Sequence, residues 1–318
     1  MYKIGIIEKI HESGIELLKK NKNFEFDIIE NISSENLVKV LPKYDGITLR
    51  VAKIGPEILK NCNNLKVISR HGVGYDNVDI KTLKKKNIQL LITATANAVS
   101  VAEHVMYMIL SLSKGVIQYD KMVRSGQFRQ AANEIKTFEL FNKEILIMGF
   151  GRIGKILIKR CNGFEMKSMI YDPFIDKKEI EKYGGKKVDN LNLAFKSADY
   201  ISIHMPLNSK TKNLIDLNIL RSMKKNTIII NTARGGIINE NDLDEALKKN
   251  IIFGAGLDVF TKEPIEMTSP LVKNKQILLS PHSATFTEEC TKRMGLQTVQ
   301  NLIDFFENKL KSNMKVSL

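Results

Sequence analysis

The sequence predicts an α/β protein built from two doubly wound parallel sheets. Three observations carry that reading. Short apolar runs of roughly four to six residues recur along the chain with helical segments between them, the pattern of parallel strands covered on both faces. The runs fall into two series, split by one long apolar helical stretch. The second series opens on a strand, a glycine-rich turn and a helix.

Taken in order, "KIGII" (3–7) is the first strand, with an apolar core too short for a signal peptide. The segment "GIELLKKN" (14–21) is helical, and "FDII" (26–29), "GITLRV" (46–51), "LKVISR" (65–70) and "IQLLIT" (88–93) are further strands. The stretch 100–126 reads as one long helix, apolar on more than one side, with Ser100 as N-cap and Glu103 completing a capping box. A helix that apolar is buried in a core or at a subunit interface. From 145 the second series gives six strands: "ILIMGF", "KSMIYD", "YISIHM", "TIIINTA", "FGAGLDVF" and "QILLSPH". Six is the count that a full dinucleotide-binding domain requires. The tail from Glu288 to Leu310 is one amphipathic helix.

At 318 residues the chain has room for two domains of ordinary size. Hydrophobic content of 43% and charged content of 26% are those of a globular protein. No apolar run approaches the length of a membrane span. The three cysteines, Cys62, Cys161 and Cys290, form no CxxC pair and no metal-ligand spacing, so a reduced cytoplasmic protein without metal is expected. The net charge of +14 is nearly all lysine, since nine of the 49 basic residues are arginine. With no basic helix of base-reading spacing, it reads as a solvated lysine-rich surface, and no nucleic acid is expected as a partner.

The glycine-rich turn is "GFGRIG". Gly149 allows the tight turn, Gly151 lets a pyrophosphate approach the backbone, and Gly154 lets the helix pack on the strand. The helix N-terminus offers unpaired N–H groups to phosphate. Asp172, at the end of "MIYD", stands where a carboxylate would hold the adenosine ribose. It favours NAD over NADP, because a 2′-phosphate would face that carboxylate. This unit is therefore expected to be a Rossmann-type domain binding NAD.

Three later strands end in polar groups: Arg234 in "NTARGG", Asp258 and Glu263 in "GLDVFTKEP", and His282 in "SPHSA". In an open parallel sheet, ligands bind beyond the carboxyl ends of the strands, so these groups gather over one edge. An arginine fork grips a carboxylate, a histidine passes a proton near neutral pH, and a carboxylate beside it favours the imidazolium. Each alone has an ordinary structural explanation, such as a strand cap or a turn. Together, downstream of a dinucleotide motif, they form an apparatus for a small 2-oxo acid. Arg234 would anchor the carboxylate and polarise the ketone, His282 would be the acid–base group, and Glu263 would orient it.

These motifs, with "HMPL" and "RHGVGYDNVD", resemble in order the pattern of the D-2-hydroxyacid dehydrogenase family, which includes phosphoglycerate dehydrogenase, glyoxylate and hydroxypyruvate reductases and formate dehydrogenase. The resemblance implies that Arg234, Glu263 and His282 are the catalytic trio. It implies NAD contacts from Arg152, Ile153, Asp172, Thr232 and Ala233, a pocket lined by His204 and Pro206, and a bond from Asp258 to the nicotinamide carboxamide. Backbone N–H groups at Val73 and Gly74 would hold the substrate carboxylate. It implies a flavodoxin-like substrate domain from residues 1–97, an NAD domain over 98–281, and return of residues 282–318 to the substrate domain. A homodimer with residues 100–126 at the interface is implied as well. Formate dehydrogenases carry glutamine where this chain has Glu263, which disfavours formate. The chain stops at 318, so feedback through a regulatory domain is not expected. Arg50 and Lys53 lie where phosphoglycerate enzymes approach the phosphate, but "LRVAKIG" is one residue shorter there. The substrate thus stays open among 3-phosphoglycerate, glycerate or hydroxypyruvate, and glyoxylate.

Of the other histidines, His71 beside the substrate loop and His104 in the apolar helix are expected to be structural, and His11 to lie on the surface. The competing reading is an NAD-binding corepressor or sensor on the same scaffold, since fold does not fix function.

Overall fold

The computed structural model describes residues 1–129 and 134–317. It divides into two compact units, Met1–Asn97 with Thr285–Leu318, and Ala98–Ala284. The second unit thus runs three residues past the expected limit at 281.

The first unit contains β1 (Tyr2–Ile7), β2 (Phe24–Ile29), β3 (Gly46–Leu49), β4 (Val67–Arg70) and β5 (Gln89–Ile92). They form one sheet in the order β2-β1-β3-β4-β5, parallel throughout. That order is the flavodoxin-like one. Alternate residues feed two cores, as a period of two requires. Ile7, Ile47, Leu49, Ile68 and Leu90 face one side, and Ile4, Ile6, Val67 and Leu91 the other. The helix Glu288–Phe306 covers the latter face with Val299, Leu302 and Ile303. It is capped by Thr287, whose side chain accepts from Cys290 N at 3.2 Å. The helix Glu12–Lys19 crosses it so closely that a Cβ on Gly14 would stand 2.6 Å from the Gly295 carbonyl oxygen. The tail helix ends at Phe306, four residues before Leu310. The chain then returns to β5, where Lys315 bridges Leu91 in antiparallel fashion.

The second unit contains β6 (Glu144–Met148), β7 (Lys167–Tyr171), β8 (Lys186–Lys187), β9 (Tyr200–Ile203), β10 (Ile228–Asn231), β11 (Gly254–Leu257) and β12 (Ile277–Leu279). The sheet order is β12-β11-β10-β9-β6-β7-β8, with every pairing parallel. This is the doubly wound order of a dinucleotide-binding domain with one further strand. The added strand is β12 at one edge, and the strand absent from the sequence reading is the two-residue β8 at the other edge, whose lysines carry no apolar signal.

Two expectations at the long helix are corrected. Residues 100–126 are not one helix but two, Ala98–Ser113 and Val116–Arg124. Between them Gly115 adopts φ +60°, a left-handed turn that glycine enters without steric cost. Ser100 is not an N-cap, because the helix starts two residues earlier. Its hydroxyl instead donates to the Ala284 carbonyl at 2.6 Å, and Glu103 pairs with Arg160 at 2.6 Å. The first helix buries Val105, Met106, Met108 and Ile109 against the sheet. The second buries only Met122 and exposes Val116, Ile117 and Val123.

Candidate active site

The second sheet reverses its winding between β6 and β9, and the glycine turn follows β6 at that switch point. Gly149 has φ +100°, and a Cβ there would sit 2.7 Å from the His204 carbonyl oxygen at the end of β9. A Cβ on Gly154 would meet the Gly149 oxygen at 2.5 Å. Nothing lies within 4 Å of a Cβ on Gly151, and no side chain caps the helix Arg152–Gly163 that it opens. Two glycines are therefore required by packing, and the third leaves space before uncapped N–H groups. That arrangement fits a pyrophosphate. Arg152 and Ile153 form the first helical turn, the former exposed and the latter half-buried.

Asp172 stands at the end of β7. One carboxylate oxygen accepts from Phe150 N at 2.8 Å and the other from Phe174 N at 2.9 Å. It thus pins the glycine turn and still has lone pairs for a ribose hydroxyl. His204 Nε2 lies 2.7 Å from the Ser202 hydroxyl, and burial pushes its pKa down to about 3, so the ring is neutral. Pro206 beside it is exposed, with its carbonyl taken by Thr211.

After β10 the chain turns through Thr232, Ala233 and Arg234. Asn231 braces this turn, accepting from Ala233 N at 3.0 Å and donating to the Arg234 carbonyl at 2.8 Å. The buried Thr232 hydroxyl has no hydrogen-bond partner among the described residues. Arg234 donates from Nη1 to the Ala233 carbonyl at 2.6 Å.

His282 and Glu263 come together at the ends of β12 and β11. Nδ1 of His282 lies 2.7 Å from Oε2 of Glu263, and Oε1 of Glu263 accepts from Phe260 N at 3.0 Å. Burial opposes ionisation of Glu263. The hydrogen bonds from His282 and Phe260 N–H, with the charges of His282 and Arg234, outweigh it and hold the carboxyl below the ordinary glutamate range. His282 and Arg234 thus both act on Glu263. The His282 side chain is 52% exposed, and among the described residues nothing hydrogen-bonds its Nε2. With Nδ1–H committed to the carboxylate, Nε2 is the atom that can exchange a proton with a ligand.

His282 has φ +52°, a conformation few residues other than glycine adopt. Its turn is held from β11 by Asp258, which is only 1% exposed. The Asp258 carbonyl accepts from His282 N at 2.8 Å. Its Oδ1 accepts from the Ser280 hydroxyl at 2.5 Å and Ser283 N at 2.8 Å, and its Oδ2 from Ala284 N at 3.1 Å. Sequence reasoning offered Asp258 as a cofactor contact and did not find this clamp. The serines at 280 and 283 were its only local sign.

A second residue that sequence reasoning missed is Gly235. A Cβ there would lie 1.9 Å from the Phe260 carbonyl carbon and 2.3 Å from Thr261 N. The Arg234 turn thus rests directly on the backbone that leads to Glu263.

The remaining substrate-binding candidates lie in the first unit, at the C-terminal edge of its own sheet. Arg50 follows β3 and donates to the Lys9 carbonyl at 3.1 Å. Glu8 braces the same loop by accepting from Val51 N at 2.8 Å and Ala52 N at 3.2 Å. His71 follows β4 and is buried. Its pKa falls to about 4 through burial first, then the charges of Arg50 and Arg70. The next turn carries Val73 and Gly74, whose N–H groups donate to no described residue. This edge presents open N–H groups and cationic side chains, which suits a carboxylate. His11 is half-buried; its Nδ1 caps the helix Glu12–Lys19 and its Nε2 pairs with Glu288.

Among the described residues no His, Cys, Asp and Glu set could hold a metal, and no helix is long and apolar enough to cross a membrane.

Residues 106–284 match the sequence profile described as "D-isomer specific 2-hydroxyacid dehydrogenase, NAD binding domain". The chain is 33% identical to the hydroxypyruvate reductase of Thermotoga maritima over 304 residues, covering 95% of this chain and 97% of that one. It is 33% identical over 303 residues to the D-3-phosphoglycerate dehydrogenase of Archaeoglobus fulgidus, covering 95% of this chain. It spans only 57% of that relative's length. The NAD-dependent formate dehydrogenase of Staphylococcus aureus, solved in complex with NAD, superposes with a TM-score of 0.87 at 28% identity, covering 99% of each chain.

Proposed function

The chain belongs to the D-isomer specific 2-hydroxyacid dehydrogenase family, and from that premise we propose that it interconverts a D-2-hydroxy acid and the matching 2-oxo acid with NAD(H). The carrying observation is the His282–Glu263 pair at 2.7 Å, under the charge of Arg234 and on the same sheet edge as the glycine turn. A proton donor, a carboxylate to orient it and a guanidinium to grip an anion are what reduction of a 2-oxo acid needs.

Gly149, Gly151, Gly154, Arg152 and Ile153 would hold the pyrophosphate of NAD, Asp172 its ribose, and Thr232, Ala233, His204 and Pro206 would flank the remainder; when bound, it would supply or take up the hydride. Arg234 binds the substrate carboxylate and draws electron density from the 2-oxo group. In reduction the protonated His282 delivers its Nε2 proton to the oxygen, and in oxidation the neutral ring receives it. Glu263 fixes the ring through Nδ1 and favours its charged form. In the first unit, the open N–H groups of Val73 and Gly74 and the guanidinium of Arg50 are the substrate-binding candidates. The substrate class is a short 2-oxo acid such as glyoxylate, hydroxypyruvate or its phosphate. The working unit is a homodimer that covers the exposed apolar side chains of the helix Val116–Arg124.

The test is NADH oxidation with glyoxylate, hydroxypyruvate, 3-phosphohydroxypyruvate and pyruvate, by wild type and His282→Ala. Turnover of at least one acid, lost in the variant, is expected. No turnover of any by wild type would remove the proposal.

A further inference from the structure

We propose that His104 is a positioning residue for the proposed reaction: through the Ser280 hydroxyl it locks Asp258 onto the turn that carries His282. The activity arm of this inference rests on the function proposed above, and its structural arm does not.

His104 Nε2 lies 2.9 Å from the Ser280 hydroxyl oxygen and 3.7 Å from Asp258 Oδ1, while that hydroxyl lies 2.5 Å from the same Oδ1. A serine hydroxyl has one proton, and the Asp258 carboxylate already accepts two backbone N–H groups. The serine proton therefore goes to Asp258, so the imidazole must donate to the serine. This fixes His104 as the Nε2–H tautomer. Burial lowers its pKa, with the Asp258 charge acting in the opposite sense, so the ring is neutral and the link is a hydrogen-bond chain. Among the described residues, the ring packed beside it is that of Tyr107, with centroids 5.4 Å apart.

The chain ends on a strained element. Ser280 is two residues before His282, and Asp258 takes the N–H groups of His282, Ser283 and Ala284. One helical turn before His104, Ser100 donates to the Ala284 carbonyl at 2.6 Å. Two residues four apart on one helix face thus grip both ends of the turn 280–284. Each contact fixes backbone that keeps His282 at φ +52° and its Nδ1 on Glu263. Without the His104 donor, the Ser280 hydroxyl and the Asp258 carboxylate gain freedom to rotate, and the turn relaxes.

The variants are His104→Phe, which fills the space without the donor, His104→Gln, whose amide places a donor at the Nε2 position, and Ser280→Ala. His104→Phe should lower kcat for 2-oxo acid reduction roughly ten- to a hundredfold, as a misplaced catalytic group does. NADH affinity and the melting temperature should stay near wild type. His104→Gln should recover most of the loss. The double variant His104→Phe/Ser280→Ala should fall no further than the worse single one, because the two act in series. Hydrogen–deuterium exchange of the peptide covering 280–284 should be faster in His104→Phe and normal in His104→Gln. Wild-type kcat in His104→Phe, multiplicative losses in the double variant, or unchanged exchange would each overturn the proposal. If wild type itself reduces no 2-oxo acid, the reaction is wrong and the exchange comparison alone judges the positioning.

Discussion

Gly235→Ala puts the smallest possible side chain where the structure leaves no room for one. The added Cβ would lie 1.9 Å from the Phe260 carbonyl carbon, 2.1 Å from its oxygen and 2.3 Å from Thr261 N. All three are backbone atoms, so no rotamer change relieves the clash. Reaching even the 3.0 Å floor of real contacts separates the two segments by about 1 Å. The displaced segments are those of the site: Arg234 precedes the glycine, and Phe260 N holds Glu263 Oε1 at 3.0 Å. A shift of that size at a catalytic group costs on the order of a hundredfold in rate. Overpacking of this kind costs about 1–3 kcal/mol in stability. The assay is kcat/KM for NADH-driven reduction of the best 2-oxo acid, with a thermal melt of the same sample. Gly163→Ala is the control, because nothing lies within 4 Å of a Cβ at that helix end. It should change neither quantity much. Wild-type kcat/KM and melting temperature in Gly235→Ala would refute the claim that the Arg234 and Glu263 turns are held by contact.

Arg234→Lys keeps the charge but loses the planar fork, so kcat/KM for the oxo acid should fall sharply while the NADH dissociation constant, read by fluorescence, stays nearly constant. Equal weakening of both would make Arg234 structural. Asp172→Ala should weaken NADH and improve NADPH relative to it, and a wild type that prefers NADPH would overturn the ribose assignment. His71 should make the first unit acid-sensitive. Its folded pKa of about 4 lies below the unfolded value of 6.5, so its contribution is complete above that value and is lost as pH falls through the interval. At pH 5 the loss is about 2 kcal/mol, from 1.36 kcal/mol per unit and the pKa of about 4. Melts at pH 7 and 5 should show a smaller acid-induced drop in His71→Phe than in wild type; equal drops would mean that His71 does not take up the proton.

What the sequence shows most clearly is what depends on local chemistry. The strand–turn–helix around Gly149 shows because the left-handed φ of Gly149 and the contact of Gly154 with the Gly149 oxygen act within the turn, although Gly149 also meets the distant His204 carbonyl, and the apolar runs betray β6, β9 and β10 directly. The polar strand ends were legible because a parallel sheet places all such ends on one edge. Features settled by distant partners were not legible. The spacing of Ser100 and Glu103 matches a capping box, but Ala284, 184 residues away, takes the Ser100 hydroxyl. The apolar pattern of 100–126 runs through Gly115, and only the left-handed backbone there divides it. The edge strand Lys186–Lys187 has no apolar residue to announce it. The clamp made by Asp258 and the close approach at Gly235 are not legible in sequence, because the atoms they meet belong to the turn at 280–284 and to Phe260–Thr261. The apolar helix marks His104 as structural, but its partner Ser280 lies 176 residues away.

The central claim is that His282 exchanges the substrate proton while Glu263 sustains its charged form. The direct measurement is kcat/KM for oxo-acid reduction against pH, in wild type, Glu263→Gln and His282→Ala. Glu263 ionises below the ordinary glutamate range, so in wild type its carboxylate supports the ring at all pH values above that range and fails only as pH falls through it. Glu263→Gln keeps an acceptor for Nδ1 but removes the carboxylate charge, so kcat/KM should lie below wild type throughout the range where Glu263 is ionised, and the two profiles should converge as pH falls through the depressed range of the carboxyl. His282→Ala should lose roughly a hundred- to ten-thousandfold at every pH. Superimposable profiles for wild type and Glu263→Gln, or near-normal turnover in His282→Ala, would contradict the account.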